Sequence, residues 1–213
     1  MTGIHVSTSK NLKIGDWIGI PKYNIEGNIQ DINLLTTKIV NFDKTISTIP
    51  TYDLLSTEIR NHQVMYEGSS RRIKRSIYFN IKSFKFVDDE FYEKVKDINL
   101  ISEYLDRKLR EIAESKKNIP HAERIINGQQ LTNIGLFRNY VLNYLKNNPK
   151  VDQDEIVLVR QLEISPQGMP LEIYCFANKA ELVDYERIQA DIFDHILTAA
   201  QEFDLEIMQV AKA

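Results

Sequence analysis

Few side chains in this sequence have both the type and the spacing for chemistry. Its histidines, His5, His62, His121 and His195, are scattered, and none stands beside cysteine or carboxylates at a metal-ligand spacing. The string Asp191-Ile192-Phe193-Asp194-His195 comes nearest to a catalytic pair. Asp191 and His195 are one helical turn apart and can share a helix face as an ion pair, which is ordinary helix surface chemistry. The single cysteine, Cys175, lies in the apolar run Ile173–Ala177, which excludes an internal disulfide and reads as a small buried hydrophobe. No phosphate-binding glycine loop, nucleophile elbow or paired-carboxylate motif occurs, and Gly135 stands alone within a helical pattern. The expectation is therefore a protein that is not an enzyme, with no catalytic residue, no metal site and no cofactor.

A basic run, Arg71-Arg72-Ile73-Lys74-Arg75, beside Tyr78 and Phe79 raises nucleic-acid binding. On a strand, alternation sends Arg72 and Lys74 one way and Arg71 and Arg75 the other, so the run is not one phosphate-tracking stripe. The chain carries a net charge of −3, without the basic excess of a dedicated nucleic-acid binder. The run reads instead as a solvated strand edge or a partner for the acidic insertion helix. A soluble interaction or RNA-binding module remains the alternative reading.

The elements that carry these residues fall into two groups, and 213 residues suffice for two modest domains. In the first, Leu12 to Ile20 alternates and then runs apolar until Pro21, which ends a strand. Glu26-Gly27-Asn28 reads as a turn, and Ile29 to Val40 as a second, bent strand. Asp43-Lys44 punctuates a hairpin between Lys38–Phe42 and Thr45–Ile49, and Pro50 closes it. Periodicity alone makes this a five-strand β barrel.

A linker-like Tyr66–Ser70 leads to the second group. Ile73, Ile77, Phe79 and Ile81 share a strand face. Thr132 caps a helix that stops before Pro149. Strands at Glu155–Leu162 and Leu171–Ala177 flank the turn Ser165-Pro166-Gln167-Gly168. A helix over about Ala180–Ala200 turns Leu182, Ile188, Ile192, Phe193, Ile196 and Leu197 to a core, and Leu205, Ile207 and Gln209 make a last strand. That order, β-α-β-β-α-β, is the ferredoxin-like arrangement. Between its first strand and first helix lies an insertion, about residues 88–118: Asp88 as N-cap, then one long charged helix to Lys117. Its stripe of Phe91, Val95, Ile98, Ile101, Leu105, Leu109 and Ile112 faces its own domain or a neighbouring subunit. The fold class is α+β.

Several strings are more specific than their periodicity. Gly15-Asp16-Trp17-Ile18, the hairpin Lys38–Ile46 with Asn41 and Asp43, and Thr48-Ile49-Pro50-Thr51 resemble the middle domain of the small-conductance mechanosensitive channel (MscS) family. Gly68–Ile77, Leu131–Arg138 and Pro166–Phe176 look like the YbdG branch of that family. The resemblance runs from about Leu12 to Gln209. It implies an Sm-like β barrel domain over 12–65, then the ferredoxin-like α/β domain with its inserted helix over 66–213. Gly15, Asp16, Trp17, Asn41, Asp43 and Pro50 are then structural motif residues. Gly19 departs from the pattern, where the resemblance implies an acidic residue.

By the same resemblance, identical subunits, a heptamer in the family, form a channel in the bacterial inner membrane that opens under tension and protects against osmotic downshock. This chain would be the cytoplasmic vestibule part, with charge around its openings biasing ion passage. No apolar run approaches the ~20 residues needed to cross a bilayer, so the chain is expected to be a soluble portion of a longer subunit. Residues 1–11 are expected to be an artificial or disordered start, and pore-lining residues would belong to membrane helices absent from the sequence. Membrane contact would come only through those helices, and no nucleic-acid partner is expected.

Overall fold

The structure, a computed structural model, describes residues 12–209. The expectation for residues 1–11 lies outside them. The chain divides into two compact units, one ending at Ser69 and the other starting at Ser70.

The first unit is a five-stranded antiparallel sheet. Its strands are β1 (Trp17–Ile20), β2 (Ile25–Ile32), β3 (Thr36–Asn41), β4 (Ile46–Pro50) and β5 (Arg60–Asn61), in spatial order β4-β3-β2-β1-β5. Two short helices, α1 (Asp53–Ser56) and α2 (Gln63–Glu67), flank β5. Pro21 does end β1, opening a 3-10 turn that Asn24 closes in the left-handed region at φ 51°. Glu26-Gly27-Asn28 is not a turn but lies in the first half of β2. Gly27 answers a close strand approach instead, since a Cβ there would lie 2.1 Å from the Val40 carbonyl oxygen. The expected bent strand over Ile29–Val40 is two strands, divided at Asn33–Leu35, and the bend itself is a register shift between Ile29 and Asp31. The β3–β4 hairpin turns at Asp43-Lys44 as read from sequence, with Lys44 at φ 68°. Leu12, Ile18, Ile20, Ile29, Ile39, Ile49 and Leu54 form the core.

The second unit sets helices against one face of an antiparallel sheet of order β6-β8-β7, built from β6 (Arg71–Phe79), β7 (Leu158–Gln161) and β8 (Met169–Ala177). Four helices accompany it: α3 (Asp89–Val95), α4 (Asn99–Lys116), α5 (Asn133–Lys146) and α6 (Leu182–Ala199). Alternate residues of the paired strands, Ile73 and Ile77 on β6 and Leu171, Ile173 and Cys175 on β8, enter one core with Phe137, Ile192 and Ile196.

Three expectations change here. The insertion is two helices rather than one: Ile98 is extended at ψ 104° and the helix restarts at Asn99. That break lets Phe91 and Val95 on α3 join Ile101, Leu105 and Ile112 on α4 in the unit's own core, so most of the stripe faces inward, while Leu109 is exposed. Leu182, expected in the core, is exposed in the first turn of α6. At Leu205–Gln209 the described residues make one bridge, Phe79 to Ile207, rather than a strand. This tail meets β6 only at its end, where Asn80 N donates to Glu206 O and Met208 N to Tyr78 O, each at 2.8 Å.

One buried amide joins three distant segments of this unit. Asn133, fully buried after the cap residue Thr132, donates through Nδ2 to Ser83 O at 2.9 Å and to Phe203 O at 3.1 Å. Its Oδ1 accepts from Lys85 N at 3.0 Å. Asn133→Ala would leave the buried Phe203 carbonyl and the partly buried Ser83 carbonyl and Lys85 amide without this partner, and should cost about 2–4 kcal/mol. Urea unfolding followed by far-UV circular dichroism measures it.

Close by, Asp204 takes ion pairs from Lys94 at 2.7 Å and Lys85 at 2.8 Å, fastening the tail to the insertion. Hydrogen bonds from Lys85 and then Lys94 hold its carboxyl below the usual range. A folded-state pKa below the unfolded one gives stability that is present above the unfolded value and lost as pH falls through the folded one. The side chain is 39% exposed, so screening limits the contribution to about 1 kcal/mol. Asp204→Asn should therefore lower the urea midpoint at pH 7, and the gap to wild type should close as pH falls below the usual carboxylate range, as parallel titrations would show.

Candidate functional site

The residues singled out in the first unit gather around the entry to β1. Gly15 adopts φ +95°, a conformation open to glycine, within the turn Lys13–Asp16. Asp16, 7% exposed, accepts from Lys13 N at 3.0 Å and from Asn61 Nδ2 at 3.1 Å, so one carboxylate closes the turn and ties in β5. Trp17 donates from Nε1 to Glu26 at 3.2 Å and meets Phe42 edge-on at 5.4 Å. Its other neighbour is His62, at a ring separation of 4.9 Å.

His62 also accounts for Gly19. A Cβ at that buried position would come within 3.1 Å of His62 Nε2, so glycine leaves the room that the imidazole occupies. An acidic residue there would meet His62 and Arg60.

The second group of motif residues holds the β3–β4 hairpin. Asn41 Nδ2 donates to Thr45 Oγ1 at 2.9 Å and to Ser47 Oγ at 2.8 Å. Asp43 Oδ1 accepts from Thr45 Oγ1 at 2.6 Å and Thr45 N at 2.9 Å, bonds that hold its carboxyl below the usual range. Pro50 ends β4 opposite Thr36, exposed at the edge strand. Phe42 brings the tip of the hairpin to Trp17, so the Gly-Asp-Trp string and the hairpin are in contact, whereas Pro50 lies at the other end of that hairpin.

In the second unit the catalytic-looking pair comes apart. Lys150 takes Asp191 at 2.6 Å, while His195 Nε2 shares a hydrogen bond with Tyr140 Oη at 2.7 Å and its ring stacks on Tyr144 at 4.1 Å. Burial pushes both tyrosine hydroxyls above their usual pKa. Cys175 is buried, and desolvation pushes its thiol up to about 12, where it is no nucleophile. Among the described residues no group of three or more His, Cys, Asp or Glu could hold a metal ion.

The basic run is split as alternation requires and lies on β6, an edge strand of the sheet, with Arg72, Lys74 and Arg75 exposed. Arg71 lies over the Tyr185 ring at 4.4 Å and Arg75 over Phe193 at 4.3 Å, both on the α6 side. On the opposite face Arg72 lies 6.0 Å from the Tyr174 ring, and Lys74 approaches Glu172 at 3.8 Å. Sequence reasoning missed Glu172, a carboxylate 4% exposed in the middle of β8, although a lone acid within Pro170–Ala177 was a signal. Arg160, directly opposite on β7, holds it from Nε at 2.8 Å and Nη2 at 2.7 Å.

Two family models match the chain in order, one over the β unit and one within the helix-and-sheet unit. "Mechanosensitive ion channel, beta-domain" matches residues 1–64, and "Mechanosensitive ion channel MscS, C-terminal" matches residues 102–207. The chain belongs to the MscS family of mechanosensitive ion channels.

Among curated relatives, the low conductance mechanosensitive channel YnaI of Escherichia coli (strain K12) is 24% identical over 200 residues, covering 94% of this chain and 44% of YnaI. An uncharacterized MscS family protein of Aquifex aeolicus (strain VF5) is 31% identical over 81 residues, 38% of this chain and 20% of that protein. The chain thus spans less than half the length of either. Arabidopsis thaliana MSL1, solved by cryo-EM, superposes with a TM-score of 0.61 at 15% identity, over 98% of this chain and 57% of that one. Helicobacter pylori MscS in the closed state gives 0.55 at 15% identity, over 100% and 62%. At that identity the two structures show a shared fold.

Asp16→Ala would leave Lys13 N and Asn61 without their shared acceptor, costing about 1–3 kcal/mol. The sole tryptophan, Trp17, reports this unit by itself, so urea unfolding followed by its fluorescence should show a lowered midpoint.

Proposed function

We propose that this chain is the cytoplasmic part of a mechanosensitive channel subunit, of the YbdG-like branch, in the bacterial inner membrane. Under tension the channel opens and releases ions and small solutes during osmotic downshock. The observation that carries this reading is the ordered match of two mechanosensitive-channel models, one to each end of the chain, together with fold likeness to channel structures over nearly its whole length. Among the described residues no helix is long and apolar enough to cross a membrane, so the pore and gate fall to other segments of the subunit.

In this reading residues 12–65 are an Sm-like β domain and residues 66–213 a ferredoxin-like domain whose insertion completes its own core. Gly15, Asp16, Trp17, Asn41, Asp43 and Pro50 act structurally, keeping the β domain rigid. Identical subunits assemble, as a heptamer, with the β domains nearest the membrane and the α/β domains walling a vestibule. No catalysis and no nucleic-acid partner enter the reading.

The test is patch-clamp recording on the full-length subunit expressed in cells stripped of their own mechanosensitive channels. Tension-gated current and improved survival of downshock are expected; membrane residence without tension-gated current would overturn the proposal.

A further inference from the structure

Hairpin tips that face water are usually built from Asn, Gly or Asp. The β2–β3 connection instead follows Asn33 with Leu34 and Leu35, which are 54% and 81% exposed. These leucines are firmly held. Asn33 Oδ1 accepts from Leu35 N at 3.0 Å and Thr36 N at 2.8 Å. Thr51 closes the tip from β4's end: its N donates to Leu35 O at 3.0 Å and its Oγ1 to Asn33 O at 2.9 Å. The Thr51 hydroxyl also meets the fully buried Thr37 hydroxyl at 3.0 Å. Side-chain and backbone bonds therefore fix two large apolar residues pointing away from the core.

Other exposed apolar residues share that end of the sheet. Antiparallel pairing of β1 with β2 puts the Lys13–Asp16 turn beside the later half of β2, with Gly15 N donating to Ile29 O at 2.8 Å. Ile14 in that turn is 64% exposed, and Tyr52, next to Thr51, is 67% exposed. The far end of the β3–β4 hairpin turns on Asp43 and Lys44 instead.

We propose that Leu34 and Leu35 enter the headgroup–acyl boundary of the membrane, with Ile14, Tyr52 and Lys13 around them. Leucines flanked by a tyrosine and a lysine suit that interface, where apolar side chains bury, an aromatic hydroxyl stays wet and an ammonium meets lipid phosphate. This inference rests on the channel reading and on what the family resemblance implies, that the membrane helices lie upstream of the Gly-Asp-Trp string. The backbone enters the sheet from its amino side through Lys13–Asp16, so the end bearing the leucines is the end turned to the bilayer.

Spin labels test it in the full-length subunit reconstituted into phosphatidylethanolamine–phosphatidylglycerol vesicles. Leu35→Cys and, independently, Leu34→Cys carry the label, with Lys44→Cys as the aqueous reference; buried Cys175 does not compete for it. Power saturation compares lipid-soluble oxygen with a water-soluble nickel chelate. At both leucine positions oxygen should relax the label several-fold more than the chelate does, and at position 44 the order should reverse. Chelate access at 34 and 35 matching that at 44 would place the tip in water and overturn the inference. Low access to both reagents would mean another protein surface covers the tip, and would also overturn it. A subunit that stays out of membranes would sink the channel reading and this inference together, whereas membrane residence with a wet or protein-covered tip sinks this one alone.

Discussion

A buried primary amide has four hydrogen-bonding capacities and no charge, and the second unit is organised around one. Asn133 sits where the Ser83–Lys85 lead into the insertion, the start of α5 and the 3-10 turn after α6 converge, and it supplies donors and an acceptor to backbone groups that have no ladder partners there. Neither a hydrophobe nor a carboxylate could replace it, since the first would satisfy nothing and the second would offer no donor. The position of the insertion follows. Lys85 is drawn to Asn133, its ammonium reaches Asp204, and α3 then carries Phe91 and Val95 into the core.

The sheet of this unit treats its two faces differently. On the helical side, cation–π contacts from Arg71 and Arg75 cover the rings of Tyr185 and Phe193, so long basic side chains extend the apolar packing. On the opposite side Glu172 is enclosed between Arg160 and Lys74. A carboxylate this buried is tolerated because the guanidinium of the neighbouring strand reaches it twice through its nitrogens. The basic run is therefore divided between the two faces of the sheet, with contacts on each.

In the first unit, polar side chains do at the edges what apolar ones do in the core. Asp16 closes the entry to β1, Asn41 and Asp43 brace one hairpin, and Asn33 with Thr51 braces the other. A sheet of such short strands has little apolar area per strand, so rigidity comes from these local bonds.

The sequence by itself determined the α+β class, most strand and helix positions, the Thr132 and Asp88 caps and the Asp43-Lys44 hairpin, because those rest on periodicity and on bonds within a few residues. The family was legible in the Gly-Asp-Trp and hairpin strings. Tertiary structure decided the rest. Gly27 reads as a turn until Val40 is seen against it, and Leu182 reads as core until the first turn of α6 is seen to be uncovered. The break at Lys96–Ile98 has no proline or glycine to announce it; it follows from the core that both helices must reach. Asn133, Glu172 and the partners of Asp191 and His195 lie tens of residues from what they bond, and a pattern of a few residues carries no information about pairs that only folding brings together.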